Sequence, residues 1–475
     1  MNTFRWRVVA GLVACAAAGC ESPQSGEVFD AALLSDGRVA AVGYIGLDSL
    51  ERPALTVLGA DGAEQWVRYL GSSGIGGLEV GTANRVTVDD QDRIVVAGFV
   101  RAEGGGDAGV VAAYGEDGGF LWQARPFEGG ESEIRGVTTR GGDVVVTGFA
   151  RVAGASGEAD TQGVLTAKLR GSDGALLWSD VLAAGPDRLH VTSGLAIDVS
   201  ASGDVGVTGC ATAADGHSDW LAASWSAAGS RNWVSRRRGG GDLGQDAGDL
   251  SVAVKGGFDV DGSFYAAGTL FEGLEGSNAE LAKYTPGGAI EWTRSTGVTL
   301  PDGLPSYDRA GALAIGDGRV HYGGAVATSV GGWLLDESFV AAVSAAGDTA
   351  WTSGFPGVAL SGEEVFDIAA AGNGAVYVAG TASIHGYGRD LAVMKLTEAG
   401  DVVWSESLDG VASILDLDRI ERIVAREDGL IAVGKIDWGF GAHVAAVVKL
   451  DPVDGALLWA YPETLQGNQK IHVVR

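Results

Sequence analysis

The chain has 475 residues and carries 33 Lys and Arg side chains against 61 Asp and Glu, so its formal net charge is −28. This sign argues against nucleic acid as a partner, and anionic lipid head groups should repel the chain as well. Glycine accounts for 78 residues, which indicates a protein built from many turns rather than from helices.

The N-terminal residues read as an export segment. Arg5 and Arg7 precede an apolar run, residues 8–18, that is shorter than the roughly 20 residues needed to span a bilayer. The run ends in Ala-Ala-Gly-Cys at residues 17–20, which resembles the lipobox of bacterial lipoproteins. The resemblance implies a signal peptide over residues 1–19 and acyl chains such as palmitate on Cys20.

The lipoprotein resemblance also implies an address. Glu21 after the lipidated residue favours the outer membrane, and residues 20–27 form a short tether. More than one acyl chain gives durable anchoring. The alternative is an ordinary secretory signal in which Cys20 has no such role. Without residues 1–19 the charge becomes −30, from 31 basic against 61 acidic side chains, and Cys210 is the one cysteine left for the folded part. We therefore expect no intramolecular disulfide and a buried Cys210.

A unit of four short strands recurs along the chain and is clearest over residues 365–408. It reads VFDIAAA, a Gly-Asn-Gly turn, AVYVAG, a polar connection, DLAVMKL, a Glu-Ala-Gly-Asp turn and VVWSESL. Alternating apolar residues bounded by tight turns predict antiparallel hairpins. We call the four strands A to D in chain order.

Two markers recur in step and give eight copies of the unit. One is a tryptophan in strand D, at spacings of 53 to 59 residues, and the other is a glycine that closes strand B. The tryptophans are Trp66, Trp122, Trp178, Trp233, Trp292, Trp351, Trp404 and Trp459, and the glycines are Gly43, Gly98, Gly148, Gly209, Gly268, Gly324, Gly380 and Gly434. A period near 50 with four strands per copy predicts an all-β fold, a single eight-bladed β-propeller of four-stranded antiparallel blades.

The predicted propeller covers residues 28–475. Its blades are expected at about 28–77, 78–130, 131–191, 192–248, 249–306, 307–364, 365–419 and 420–475. Each tryptophan is expected to pack against the next blade, with its ring nitrogen bonded to backbone. The tail KIHVVR, residues 470–475, resembles a ninth innermost strand, so it either replaces the first strand or adds to a sheet edge.

The runs DLAVMKLTEAGDVVW and GNGAVYVAG, with KYTPGGAIEW and KLDPVDGALLW elsewhere, resemble a bacterial β-propeller repeat family whose name implies seven blades. The resemblance covers roughly residues 28–465 and implies the fold and a surface or secreted protein. KLDPVDGALLW is also similar to the tryptophan-docking repeats of eight-bladed quinoprotein propellers and of a lipoprotein that assists outer-membrane barrel assembly.

The loops differ between the two faces of the predicted ring. The A–B and C–D turns are tight, whereas the B–C and D–A connections are long and irregular, as in RRRGGGDLGQDAGD. Long loops on a rigid scaffold often carry binding, so we expect the ligand at this long-loop face.

Acids or Asn recur where strand A begins. The set is Asp30, Asn84, Asp249, Asp308, Asp367 and Asp418. Their side chains either bond backbone N–H groups of the loops or crowd the mouth of the central channel, where they would attract Ca²⁺ or a cationic ligand.

No motif in the sequence specifies catalysis, and no other cofactor is predicted. The favoured hypothesis is a monomeric, lipid-anchored envelope protein, not an enzyme, whose propeller binds an envelope protein or glycan. One alternative is a quinoprotein-like or other propeller enzyme with its site at the channel mouth. Another is a structural part of a larger envelope assembly.

Overall fold

The computed structural model describes residues 26–474 except 48–49, 72–79, 102–105, 154–159, 184–191, 214–217, 240–250, 274–275, 298–305, 317, 331–332, 356–362, 383–389, 409–417, 427–428, 438–442 and 463–470. Cys20 and Asp249 lie outside these residues. No α-helix occurs within the described ranges, and the strands form eight separate sheets.

The first four blades each contain four strands in chain order. Blade 1 has β1 (Gly26–Leu33), β2 (Val39–Leu47), β3 (Leu50–Leu58) and β4 (Glu64–Tyr69); blade 2 has β5 (Gly81–Val88), β6 (Ile94–Arg101), β7 (Asp107–Tyr114) and β8 (Phe120–Ala124). Blade 3 has β9 (Ser132–Arg140), β10 (Asp143–Val152), β11 (Thr161–Arg170) and β12 (Leu176–Ala183); blade 4 has β13 (Ser193–Val199), β14 (Val205–Thr212), β15 (Ser218–Trp225) and β16 (Arg231–Arg237).

The other four blades repeat this order with two additions. Blade 5 has β17 (Val252–Phe258), β18 (Phe264–Phe271), β19 (Gly276–Tyr284) and β20 (Ile290–Thr296), and the short β21 (Ser306–Tyr307) pairs with β19; blade 6 has β22 (Arg309–Gly316), β23 (Arg319–Val330), β24 (Trp333–Ser344) and β25 (Thr349–Ser353). Blade 7 has β26 (Glu364–Ala370), β27 (Val376–Ala382), β28 (Asp390–Leu396) and β29 (Val402–Leu408), to which β34 (Ile471–Val474) is added; blade 8 has β30 (Arg419–Arg426), β31 (Gly429–Asp437), β32 (His443–Leu450) and β33 (Leu457–Tyr461).

The blades form a closed ring with strand A innermost. Strand A of each blade contacts strand A of the next, and β30 of the last blade contacts β1 of the first. Buried apolar clusters fill the spaces between neighbouring blades; in one of them Ile431 and Val447 of blade 8 pack with Val39 and Leu58 of blade 1. The predicted all-β, eight-bladed propeller is confirmed.

A tryptophan-to-glycine contact joins each blade to the next around the whole ring. The indole of strand D lies against a glycine in the C–D turn of the following blade. The pairs are Trp66–Gly118, Trp122–Gly174, Trp178–Gly229, Trp233–Gly288, Trp292–Gly347, Trp351–Gly400, Trp404–Gly455 and Trp459–Gly62. All eight glycines have positive φ, between 72° and 90°, and a Cβ there would come within 2.3 to 2.9 Å of the indole.

The same C–D turn also supplies a hydrogen-bond acceptor for the indole N–H. Nε1 donates to the turn carbonyl from Trp122 (2.8 Å to Gly171), Trp178 (3.2 Å to Ala227), Trp292 (3.0 Å to Ala345), Trp351 (2.9 Å to Glu398) and Trp459 (2.9 Å to Ala60). Among the described residues Trp66 and Trp404 find no acceptor. The carbonyl at the corresponding turn position accepts from Arg38 in one case and from Lys395 in the other.

A β-bulge in strand A explains the second sequence marker. In every blade the pairing of strands A and B skips one residue of strand A, such as Phe29, Val254 or Phe366. The marker glycine of strand B lies opposite the residue just before this bulge. A Cβ at any of the eight marker glycines would come within 1.8 to 2.0 Å of a strand A carbonyl oxygen, so a side chain cannot fit there.

The C-terminal tail adds to an outer edge. β34 pairs antiparallel with β29, the outermost strand of blade 7, with Leu408 opposite Ile471 and Ser405 opposite Val474. Of the two expected arrangements, edge addition is therefore the one adopted, and the resemblance of the tail to an innermost strand is misleading. Within the described residues blades 8 and 1 share no strand, and side chains join them, including Tyr461 Oη donating to Glu64 at 2.5 Å.

We predict that Gly268→Ala destabilises the fold because its Cβ would lie 2.0 Å from the carbonyl oxygen of Val252. The strain should lower the free energy of unfolding by about 1–3 kcal/mol, the usual range for forced overpacking. Gly372→Ala is the matched control, since no atom lies within 4 Å of the place that a Cβ would take there. Chemical denaturation measures both. Equal stability of the two variants would contradict the steric explanation.

Candidate functional site

The predicted long-loop face lies mostly outside the described residues. The ranges left out fall almost entirely in the B–C and D–A connections, and one of them contains Asp249. The described part of the candidate site is therefore the central channel, which strand A of each blade lines.

One position of strand A recurs at the same height in all eight blades, because it directly follows the bulge. The eight residues are Asp30, Arg85, Gly136, Ala196, Lys255, Ala312, Asp367 and Arg422. We call them the channel ring. It holds two acids and three bases, and blades 3, 4 and 6 contribute only glycine or alanine.

The charges of the channel ring form ion pairs across the channel. Lys255 Nζ lies 2.9 Å from Oδ1 of Asp367, although the two residues belong to blades 5 and 7, which are not adjacent. Arg422 lies between two carboxylates, with Nη1 3.5 Å from Asp367 Oδ2 and Nε 3.4 Å from Asp30 Oδ1. These contacts tie blades 5, 7, 8 and 1 together through the centre.

Both acids of the ring also hold the next blade. Asp30 Oδ2 accepts from the backbone N–H of Val86 at 3.0 Å, and Asp367 Oδ2 accepts from that of Ile423 at 3.0 Å. Each carboxylate therefore accepts from a neighbouring blade and faces a cation in the channel, and these interactions offset the cost of burying its charge.

The other predicted residues that the structure describes do not occupy the channel-ring position. Asp308 precedes β22, and its Oδ1 accepts from the N–H of Ala327 at 2.6 Å. Asp418 is buried four positions before Arg422, nearer the long-loop end of the channel. Asn84 is the bulged residue before Arg85 and donates to Glu133 and to the carbonyl of Ile134. Of the five predicted residues that the structure describes, only Asp30 and Asp367 belong to the channel ring, where they share Arg422.

The sequence pattern of acids and Asn at the start of strand A does not include the three bases of the channel ring. Arg85, Lys255 and Arg422 lie 12 or 13 residues before the marker glycine of their blades, as Asp30 and Asp367 do. Counting back from that glycine is therefore the signal in the sequence that finds the ring.

The charges shift one another's pKa values. Burial opposes ionisation of Asp367, but the nearby positive charges of Arg422 and Lys255 outweigh it and lower its pKa. Burial lowers the pKa of Lys255, and repulsion by Arg422 and Arg85 adds to this against the attraction of Asp367. The carboxylate of Asp367 raises the pKa of Arg422.

An open cavity of about 480 Å³ adjoins the channel ring on the side of the tight turns. Blades 8, 1 and 2 line it with Ala31, Ala32, Leu33, Ser35, Val86, Thr87, Val88, Asp89, Asp92, Arg422, Val424 and Arg426. Arg422 is the one channel-ring residue among these lining residues.

No set of three or more His, Cys, Asp or Glu suited to a metal occurs within the described ranges. The Ca²⁺ site at the channel mouth stays a prediction, because Asp249 and the surrounding loops lie outside those ranges. The described residues also include no helix of the length and apolar character needed to cross a bilayer.

The fold and channel define the chain as an eight-bladed β-propeller. No protein-family model matches the chain, and no curated protein matches it. Solved structures that match include Sqt1 from Chaetomium thermophilum, at 12% identity, 95% of this chain, 87% of that chain and TM-score 0.37. An ulvan lyase matches at 9% identity, 92% of this chain, 94% of that chain and TM-score 0.43. A puromycin hydrolase mutant matches at 13% identity, 88% of this chain, 58% of that chain and TM-score 0.42. At these TM-scores nothing about ligand or activity carries over to this chain.

We predict that Asp367→Asn lowers the free energy of unfolding at neutral pH by about 3 kcal/mol, because it leaves Lys255 and Arg422 without their buried partner. The lowered pKa of Asp367 makes its contribution complete above the unfolded value of about 4 and lost as pH falls through the folded value. The variant should therefore lose less stability on acidification than the unchanged chain.

Urea denaturation at pH 7 and at pH 3 measures this difference. Asp401→Asn, an exposed turn residue, is the control and should leave both values unchanged. Parallel pH profiles for Asp367→Asn and the unchanged chain would show that the ion pairs across the channel do not stabilise the ring.

Proposed function

We propose that the protein is a cell-envelope lipoprotein, anchored through acylated Cys20, whose propeller is a binding scaffold for an envelope protein or glycan. The observation that supports it most is the asymmetry of the connections. The A–B turn of blade 3 takes two residues, 141–142, whereas the passage from blade 4 to blade 5 takes 14, 238–251. Long loops on one face of a closed, rigid ring offer a variable surface on a fixed frame.

The ring supplies the rigidity that such a surface needs. Eight tryptophan contacts and the ion pairs of the channel hold every blade to its neighbours. A loop anchored at both ends on packed strands loses less entropy on binding than a free segment does. The quinoprotein-like enzyme remains the alternative, and pyrroloquinoline quinone with Ca²⁺ is its direct test by absorbance.

We predict that Cys20→Ala abolishes acylation and releases the protein from the membrane fraction. Metabolic labelling with an alkyne palmitate analogue in a Gram-negative host measures the first effect, and fractionation the second. Cys210→Ala is the matched control, because that cysteine is buried in β14. Retention of label by the Cys20 variant would overturn the anchor and leave an ordinary secretory signal.

We predict that the long-loop face captures the partner. Crosslinking in intact envelopes should recover a protein or glycan with the unchanged chain and lose it when residues 240–248 are replaced by Gly-Ser-Gly. Val260→Asp is the control, since Val260 is 97% exposed in the A–B turn of blade 5 on the opposite face. If the Val260→Asp variant lost the partner and the shortened-loop variant kept it, binding would belong to the tight-turn face and the prediction would be wrong.

A further inference from the structure

We propose that the cavity at the tight-turn end of the channel binds a small organic carboxylate, with its charged group on the guanidinium of Arg422 and its apolar body between blades 8, 1 and 2. This site lies at the end of the channel opposite the long-loop face and does not depend on the proposed scaffold function.

The guanidinium of Arg422 has hydrogen-bond donors that the surrounding protein does not use. It has five N–H donors, and among the described residues its side chain makes no hydrogen bond. Its two ion-pair contacts, 3.4 and 3.5 Å, are longer than the roughly 2.7–2.9 Å of charge-assisted hydrogen bonds. The side chain is 43% exposed, although protein surrounds the channel on all sides. Arg422 is therefore held in place, and although its Nε is buried, the exposed part of its side chain offers Nη donors that a ligand in the channel can use.

The neighbouring carboxylates are already engaged. Asp30 accepts from Ala31 and Val86, and Asp367 accepts from Ile423 and from Lys255. The five charged residues of the channel ring sum to +1, in a chain whose net charge is −28. One negative charge added next to Arg422 would neutralise the ring, and the other charges of the cavity, Asp89 with its partner Arg93 and Asp92 with Arg426, sum to zero.

The volume and the lining of the cavity suit a small organic molecule. A volume near 480 Å³ lies within the roughly 300–1,000 Å³ of small-molecule pockets. Leu33, Val88 and Val424 contribute apolar surface to its lining, beside polar backbone and side-chain groups. The acids at its rim are occupied, since Asp92 accepts from the Ser35 N–H at 2.9 Å and Asp89 accepts from the Arg93 side chain at 2.6 Å. A planar carboxylate matches the fork of a guanidinium, and an apolar body matches the walls.

The test is calorimetric titration of the folded full-length protein with benzoate, and with benzamide as the uncharged ligand of the same shape. We expect saturable binding of one benzoate per chain, with benzamide weaker by about tenfold or more, since hydrogen bonds to charged groups are strong. Arg422→Met should weaken benzoate binding by a similar factor. Arg140→Met, an arginine that ends strand A of blade 3 outside the cavity, is the control and should bind within about twofold of the unchanged chain.

A second variant, Val88→Trp, tests the proposal in case Arg422→Met does not fold. Val88→Trp would fill the cavity without altering any charge and should abolish benzoate binding, while near-ultraviolet circular dichroism reports whether the fold is retained. Equal binding of benzoate and benzamide, or benzoate binding that survives both Arg422→Met and Val88→Trp, would overturn the proposal. Absence of saturable binding to the unchanged chain would overturn it as well.

Discussion

The ring depends on an indole resting against a residue that has no side chain. A four-stranded blade cannot bury both of its faces alone, so its stability comes from its neighbours. The tryptophan of strand D covers the C–D turn of the next blade and can do so only because that turn presents a glycine with positive φ. Trp459 makes this contact with Gly62, so blades 8 and 1 are joined by the device that joins every other pair.

Closure without a shared strand follows from this. The closing interface has the same tryptophan contact as the others and does not need a strand contributed by the other end of the chain. The C-terminal strand is consequently free to pair elsewhere, and it covers the outer edge of β29. An outer edge with unpaired backbone groups is a template for association with other chains, so covering it protects blade 7.

The fold was predictable because the strand D tryptophan and the strand B glycine are each required by a steric contact that recurs in every blade. Gly268 and its seven counterparts are fixed by a carbonyl oxygen 1.8 to 2.0 Å from their missing Cβ, and the tryptophans by the contact they make. The site was less predictable. Asp30 and Asp367 belong to the channel ring, but Asp308 lies just before strand A and four positions before Ala312. The pattern of acids alone does not reveal that offset. The pairing of Lys255 with Asp367 joins blades that are distant in sequence, and no local pattern contains it.

The bulge beside the marker glycine also determines which charged residues line the channel. It places one residue per blade at a common height, and in blade 8 that residue is Arg422, with Asp418 four positions before it and Arg426 four positions after it. An acid just before the strand, a shared base and a second base therefore follow one another along the channel. Among the described residues, the buried acids Asp308 and Asp418 lie toward the long-loop end, whereas Arg422 and Arg426 line the tight-turn cavity together with Asp89 and Asp92. An anion that enters the tight-turn end therefore meets Arg422 and Arg426, and the carboxylates beside them already accept hydrogen bonds, Asp89 from Arg93 and Asp92 from Ser35.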